Sequence, residues 1–330
     1  MGSLPWPLPA AFLSAILLLS ASGAPATSAQ QAPAYLALGD SLAFGVGASN
    51  PSTTGYVARA YESLRVSGRY EEGGLDLINL SVPGATSADL LVSGGQLDMA
   101  SEEIGGREQD SLSPANEVEI VSVDIGGNDL LGLVAPDSPC LESASVEPCR
   151  SAFGEVLSGI QTNLTETLRR LRQAAPEATI VVVDLYNPYS GTGDLREPIA
   201  EIGVGQANGV IGAVTADPDL RVKTASIFQL FSGRGGQWIA PDGIHPNDNG
   251  HAVIAEAVLA TIDNREPAIP DELTSQPPGA TAPPVAVTSD TDSDSGSDGV
   301  SVVLLIAAIA VAFAAGIVIS GAYFLARGRG

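Results

Sequence analysis

Residues 35–42 read Tyr35-Leu36-Ala37-Leu38-Gly39-Asp40-Ser41-Leu42. An unbroken apolar run followed by glycine and aspartate describes a strand buried on both faces that gives way to a turn. The same alternation recurs downstream. Residues 56–70 show helical spacing in Val57, Ala60, Tyr61 and Leu64, and 75–80 read as a second strand. Residues 88–99 read as a helix despite Gly94-Gly95, and 118–125 as a third strand. Residues 153–174 form a long helix with Val156, Leu157, Ile160, Leu164, Leu168 and Leu171 on one face. A fourth strand spans 179–185, a helix 204–215, a short fifth strand 221–225, and a closing helix 249–262. Apolar strands separated by helices imply a parallel sheet covered on both faces. Ligands bind such sheets beyond the carboxyl ends of the strands. Ser41, Gly84 and Asn128 each follow a strand, so all three fall at that edge.

The chain has 330 residues, but both ends are subtracted before domains are counted. Residues 1–29 read as a secretory signal: Ala11 to Leu19 is an apolar core, and small residues follow up to Ala26 or Ala29. Residues 300–326 carry no charge and exceed the roughly 20 residues that cross a bilayer core. Arg327 and Arg329 follow. The positive-inside tendency keeps 327–330 in the cytoplasm and everything before Val300 outside. Residues 264–299 are a Pro/Ser/Asp linker, with too few large apolar side chains to offset the entropy of ordering. Residues 30–263 remain as one domain with ample core.

The formal net charge is -23, and Lys223 is the only lysine. Without a basic stripe, nucleic acid is excluded as a partner. No protein partner and no cofactor is implied. Cys140 and Cys149 are the only cysteines. In an exported domain they are expected to pair as one disulfide, closing a short loop for about 2–3 kcal/mol. A zinc site would need more ligands than these and two distant histidines offer.

Those histidines, His245 and His251, are the only imidazoles. His245 lies in Asp242-Gly243-Ile244-His245-Pro246, three residues after an aspartate. Ser41, Asp242 and His245 are therefore the makings of a Ser/His/Asp set. A serine hydroxyl is a weak nucleophile until an imidazole takes its proton. The imidazole in turn needs an acceptor for its other N–H. His251 begins the last helix and is read as facing solvent or packing locally. Asp40 and Asp129 read as turn and loop hydrogen-bonders, and Asp124 as a buried, paired strand-end residue. Taken singly, each segment is a common turn. Together four unrelated coincidences would be needed to dismiss them.

The blocks Gly39-Asp40-Ser41-Leu42, Asn79 to Thr86, Gly126-Gly127-Asn128-Asp129 and Asp242 to Pro246, in this order, resemble the SGNH (GDSL-type) hydrolase family. The resemblance covers roughly 35–262. It implies a flavodoxin-like α/β/α sandwich with strand order 2-1-3-4-5, and cleavage of esters or transfer of acyl groups. Matched block by block, it implies Ser41 as nucleophile, His245 as base and Asp242 as the acid orienting it. The oxyanion donors would be the backbone amides of Ser41 and Gly84 and the side-chain amide of Asn128. The third block looks like that of secreted bacterial lipases and esterases. The reading is a serine ester hydrolase acting outside the cell, tethered by the carboxyl-terminal helix. Its substrate would be a small-molecule, lipid or acylated-glycan ester. A deacetylase or acyltransferase on surface polysaccharide is the near alternative. An inactive binding module is the alternative from another class, and the intact Ser41, Asp242, His245 and Asn128 argue against it.

Overall fold

A computed structural model of the chain describes residues 32–70, 74–109, 117–134 and 146–274. Five strands form one sheet: β1 (Ala34–Gly39), β2 (Asp76–Asn79), β3 (Val118–Asp124), β4 (Thr179–Val183) and β5 (Val222–Ala225). Their order is β2-β1-β3-β4-β5 and every pairing is parallel. This is the expected topology. The covering of both faces follows from the burial pattern, because β1 is buried along its whole length and β3 at every position except Glu119. Strands hidden on both faces need a layer on each side.

Alternate residues supply the two layers, since side chains on a strand point to opposite faces. Leu36, Leu38, Val121, Val123, Ile180 and Val182 join one core with three long helices. These are α4 (Gln96–Gln109), α6 (Val146–Ala174) and α7 (Glu197–Thr215). Tyr35, Ala37, Ile120, Val181 and Val183 join the other core. There they meet the short α1 (Ser41–Phe44), α3 (Tyr56–Val66) and α10 (Asp248–Asp263). Smaller helices complete the chain: α2 (Pro51–Thr54), α5 (Gly127–Leu131), α8 (Phe228–Phe231), α9 (Gly235–Trp238) and α11 (Asp271–Thr274). On α6 the stripe Ile160, Leu164, Leu168 and Leu171 is fully buried. Each side chain contributes about 1.5–3 kcal/mol of burial free energy.

The helix expected at 88–99 is displaced. A single 3-10 turn at Asp89–Leu91 ends there, and α4 begins only at Gln96. Gly94 takes φ +74, and a Cβ on Gly95 would lie 2.7 Å from the Val92 carbonyl oxygen. The two glycines make a turn before a helix rather than a weak point within one. Helices α6 and α7 also start earlier than expected, at Val146 and Glu197.

Past Asp263 the chain follows the domain surface. Arg265 pairs with Glu256, Ile269 and Leu273 pack on the second core, and Trp238 Nε1 donates to the Leu273 carbonyl at 3.1 Å. Thus the first part of the stretch read as linker, as far as Thr274, is docked on the domain. The rest of it, the signal-like stretch 1–29 and the apolar stretch 300–326 lie outside the described residues. Among the described residues no helix is long and apolar enough to cross a membrane.

Candidate active site

The site begins where β1 ends. Gly39 has φ +148, and a Cβ there would lie 2.5 Å from the Asp124 carbonyl oxygen, so only glycine lets β1 turn against β3. The buried Gln96 clamps the same peptide: Gly39 N–H donates to its Oε1 and its Nε2 donates to the Gly39 carbonyl, both at 2.8 Å. Asp40 then caps α1, its Oδ1 accepting from Leu42 N–H at 2.9 Å. Ser41 is the first residue of α1.

His245 arrives from the loop before α10. The Asp242 Oδ1 accepts the amides of Ile244 and His245, each at 2.9 Å, while its Oδ2 lies 2.7 Å from His245 Nδ1. Burial opposes the Asp242 charge, but these two amides and the imidazole outweigh it and hold its carboxyl below the ordinary range. With Nδ1–H donating to a carboxylate, Nε2 carries the lone pair and faces Ser41 Oγ at 2.9 Å. The loop is braced by Tyr186, whose hydroxyl donates to the Ile244 carbonyl, and by Ala240 N–H on the His245 carbonyl. Gly47, at φ +89, packs its α-carbon directly against His245 and Pro246.

Gly84 and Asn128 come from the turns after β2 and β3. Gly84 is exposed at φ +84. Its loop is pinned by Asp129, which accepts Ser87 N–H at 2.8 Å and Ser87 Oγ–H at 2.6 Å. Asn128 Nδ2 donates to the Ala85 carbonyl at 2.9 Å and to Asp40 Oδ2 at 3.2 Å. Both hydrogens of that amide are thus held by the protein. Ser41, His245 and Asp242 are brought into one hydrogen-bonded line, and Asn128 bonds to Asp40, the residue before Ser41. Three exposed apolar side chains, Phe44, Val82 and Leu131, lie on the segments that carry Ser41, Gly84 and Asn128.

Of the two readings of His251, facing solvent or packing locally, the structure shows packing. His251 is fully buried, with Tyr56 N–H donating to Nδ1 and Nε2–H donating to the Val46 carbonyl. Burial lowers its pKa, and both nitrogens are committed to structure. Cys149 is buried in α6 and is not a free thiol, whereas Cys140 lies outside the described residues. The supports that sequence reasoning missed are Gln96, Tyr56, Tyr186 and Gly47. Only Asp124 left a signal, as an acid inside the apolar run of β3.

The family model described as GDSL-like Lipase/Acylhydrolase family matches residues 37–253. The chain belongs to this family. As a GDSL-like acylhydrolase it is a carboxylic ester hydrolase. It is similar to the spore germination lipase LipC of Bacillus licheniformis, with 24% identity over 68% of this chain and 94% of that one. It is also similar to a lipase of Streptomyces rimosus, with 26% identity over 72% of this chain and 90% of the relative. Among solved structures, the lipase Lip_vut3 from a goat rumen metagenome shares the fold. Its TM-score is 0.53 at 20% identity, over 69% of this chain and 97% of that one.

Proposed function

We propose that this GDSL-like hydrolase cleaves esters through an acyl-enzyme on Ser41, with His245 as general base and Asp242 orienting it. The observation that carries the reading is the continuous line from Ser41 Oγ to His245 Nε2 at 2.9 Å and from His245 Nδ1 to Asp242 Oδ2 at 2.7 Å. As Ser41 Oγ attacks the ester carbonyl, its proton passes to Nε2, and the imidazolium is stabilised by the Asp242 carboxylate. The oxyanion meets the amides of Ser41 and Gly84 and one N–H of Asn128. Of the two bonds Asn128 makes, the longer, to Asp40, is the one that yields. His245 then returns the proton to the leaving alcohol. Water, activated by the same imidazole, releases the acid and restores Ser41.

The exposed Phe44, Val82 and Leu131 beside these residues favour an apolar acyl group. The uncharged stretch 300–326, followed by Arg327 and Arg329, supports a domain tethered on the outer face of a membrane. Fluorophosphonate labelling tests the central claim. Ser41→Ala is expected to abolish the label and bring ester turnover to near background, with an unchanged melting temperature. Full labelling of that variant would sink the assignment.

A further inference from the structure

Below Ser41 two acidic side chains share a buried position. Asp124 ends β3 with 2% exposure, and Asp40, directly before Ser41, has 7%. Both reach the start of α1, where the neighbouring amides of Leu42 and Ala43 donate to Asp40 Oδ1 at 2.9 Å and to Asp124 Oδ2 at 3.3 Å. Two carboxylates buried side by side repel, and the repulsion is relieved when one of them carries a proton.

The neighbours say which. Asp40 is filled with donors on both oxygens: Leu42 N–H on Oδ1 at 2.9 Å and Asn128 Nδ2 on Oδ2 at 3.2 Å. Asp124 Oδ1 takes the Tyr56 hydroxyl at 2.6 Å, and Ala43 N–H reaches its Oδ2 at the longer 3.3 Å. Oδ2 of Asp124, with the longest of these bonds, is the oxygen with most room for a proton. Burial first, and the Asp40 charge second, push the Asp124 carboxyl well above the usual range. Burial also raises Asp40, against the pull of Leu42 N–H, Asp124 and His245; the neighbouring Asp129 charge acts with burial. Tyr35 from β1, Tyr56 from α3 and Tyr186 after β4 face the pair. Burial raises all three above the ordinary tyrosine range, so they stay neutral while the pair titrates.

We propose that Asp124 acts as a protonated hydrogen-bond donor to Asp40 and is thereby a positioning residue for the Ser41 turn and for Asn128. Turnover then requires this one proton. Without it, two adjacent buried carboxylates repel. Asp40 leaves Leu42 N–H, and a second negative charge stands beside the forming oxyanion. The effect falls on the transition state, so kcat drops while KM holds. The inference rests on the roles given above to Ser41 and Asn128.

The test is the pH profile of kcat on a soluble p-nitrophenyl ester, with fluorophosphonate titration counting active sites. The wild-type protein is expected to lose at least about tenfold in kcat, reversibly, as pH rises above neutrality and the raised Asp124 carboxyl gives up its proton. Asp124→Asn supplies a permanent N–H to Asp40 and should abolish that alkaline fall. Asp124→Leu supplies none and should lower kcat about 10²-fold at every pH with little change in KM. An Asp124→Asn profile that keeps the wild-type fall, or an Asp124→Leu variant with wild-type kcat, overturns the proposal. Infrared spectra of the wild-type protein serve if the variants do not fold. A protonated carboxyl band at about pH 7 should vanish in step with kcat, and its absence at that pH overturns the proposal. If Ser41 neither labels nor turns over ester, the catalytic reading fails, while the infrared band still reports on the pair.

Discussion

Gly47→Ala should disable the site without replacing any reacting group. At φ +89 an alanine carries left-handed strain of about 1–2 kcal/mol. Its Cβ would also lie 2.3 Å from the Pro246 carbonyl oxygen and 2.8 Å from His245 Cβ. Carbon and oxygen approach no closer than about 3.3 Å, so the Pro246 peptide must retreat by about 1 Å. His245 has no such slack. Its bonds to Ser41 and Asp242 measure 2.9 and 2.7 Å, and about 1 Å added to either takes it out of hydrogen-bond range. A displacement of that size costs about 10² in rate. The expected result is a kcat lower by about 10² with KM within about threefold, read from steady-state hydrolysis of a p-nitrophenyl ester. Gly68→Ala is the control. It has φ +77 but nothing within 4 Å of its Cβ, so it should lose about 1 kcal/mol in a thermal melt and keep full activity. If Gly47→Ala melts like Gly68→Ala and turns over like the wild-type protein, the packing of Gly47 does not hold His245 in place.

Asn128→Ala should reduce kcat by about 10²–10³ with KM little changed, and steady-state kinetics showing only a KM effect would assign Asn128 to substrate binding instead. Asp184, buried after β4, accepts the amides of Ile227 and Phe228 at 2.6 and 3.1 Å, yet burial pushes its carboxyl up to about 6. The unfolded chain ionises near about 4, so the folded state holds this proton longer. The contribution of Asp184 is complete below about pH 4 and is lost as pH rises to about 6, by up to about 3 kcal/mol. Asp184→Asn should flatten that part of the stability profile in urea titrations at graded pH, and an unaltered slope would clear Asp184 as the proton holder.

The layered architecture was legible because local signals carried it. Apolar runs such as Tyr35 to Leu38 and Thr179 to Val183 have no solvent face, and helical stretches lie between them, so a parallel sheet covered on both sides is the arrangement that buries them. Helix boundaries were less legible. Gly94-Gly95 reads equally well as a flaw inside a helix or a turn before one, and only φ +74 at Gly94 and the closeness of Gly95 to the Val92 carbonyl decide it.

By itself the sequence determined which side chains could meet: one serine after a buried strand, an imidazole three residues from an aspartate, and an asparagine after another strand. It could not separate His245 from His251 by physical argument, because both are imidazoles near the start of one helix. Tertiary packing separates them. His251 points into the core, where the Tyr56 amide and the Val46 carbonyl occupy both nitrogens, whereas His245 faces Ser41 from the loop above. The supports are likewise tertiary. Gln96 on Gly39, Asp124 beside Asp40 and Gly47 against His245 join residues 57, 84 and 198 positions apart. No local pattern encodes such contacts, since their geometry exists only once the sheet brings the strand ends to a common edge.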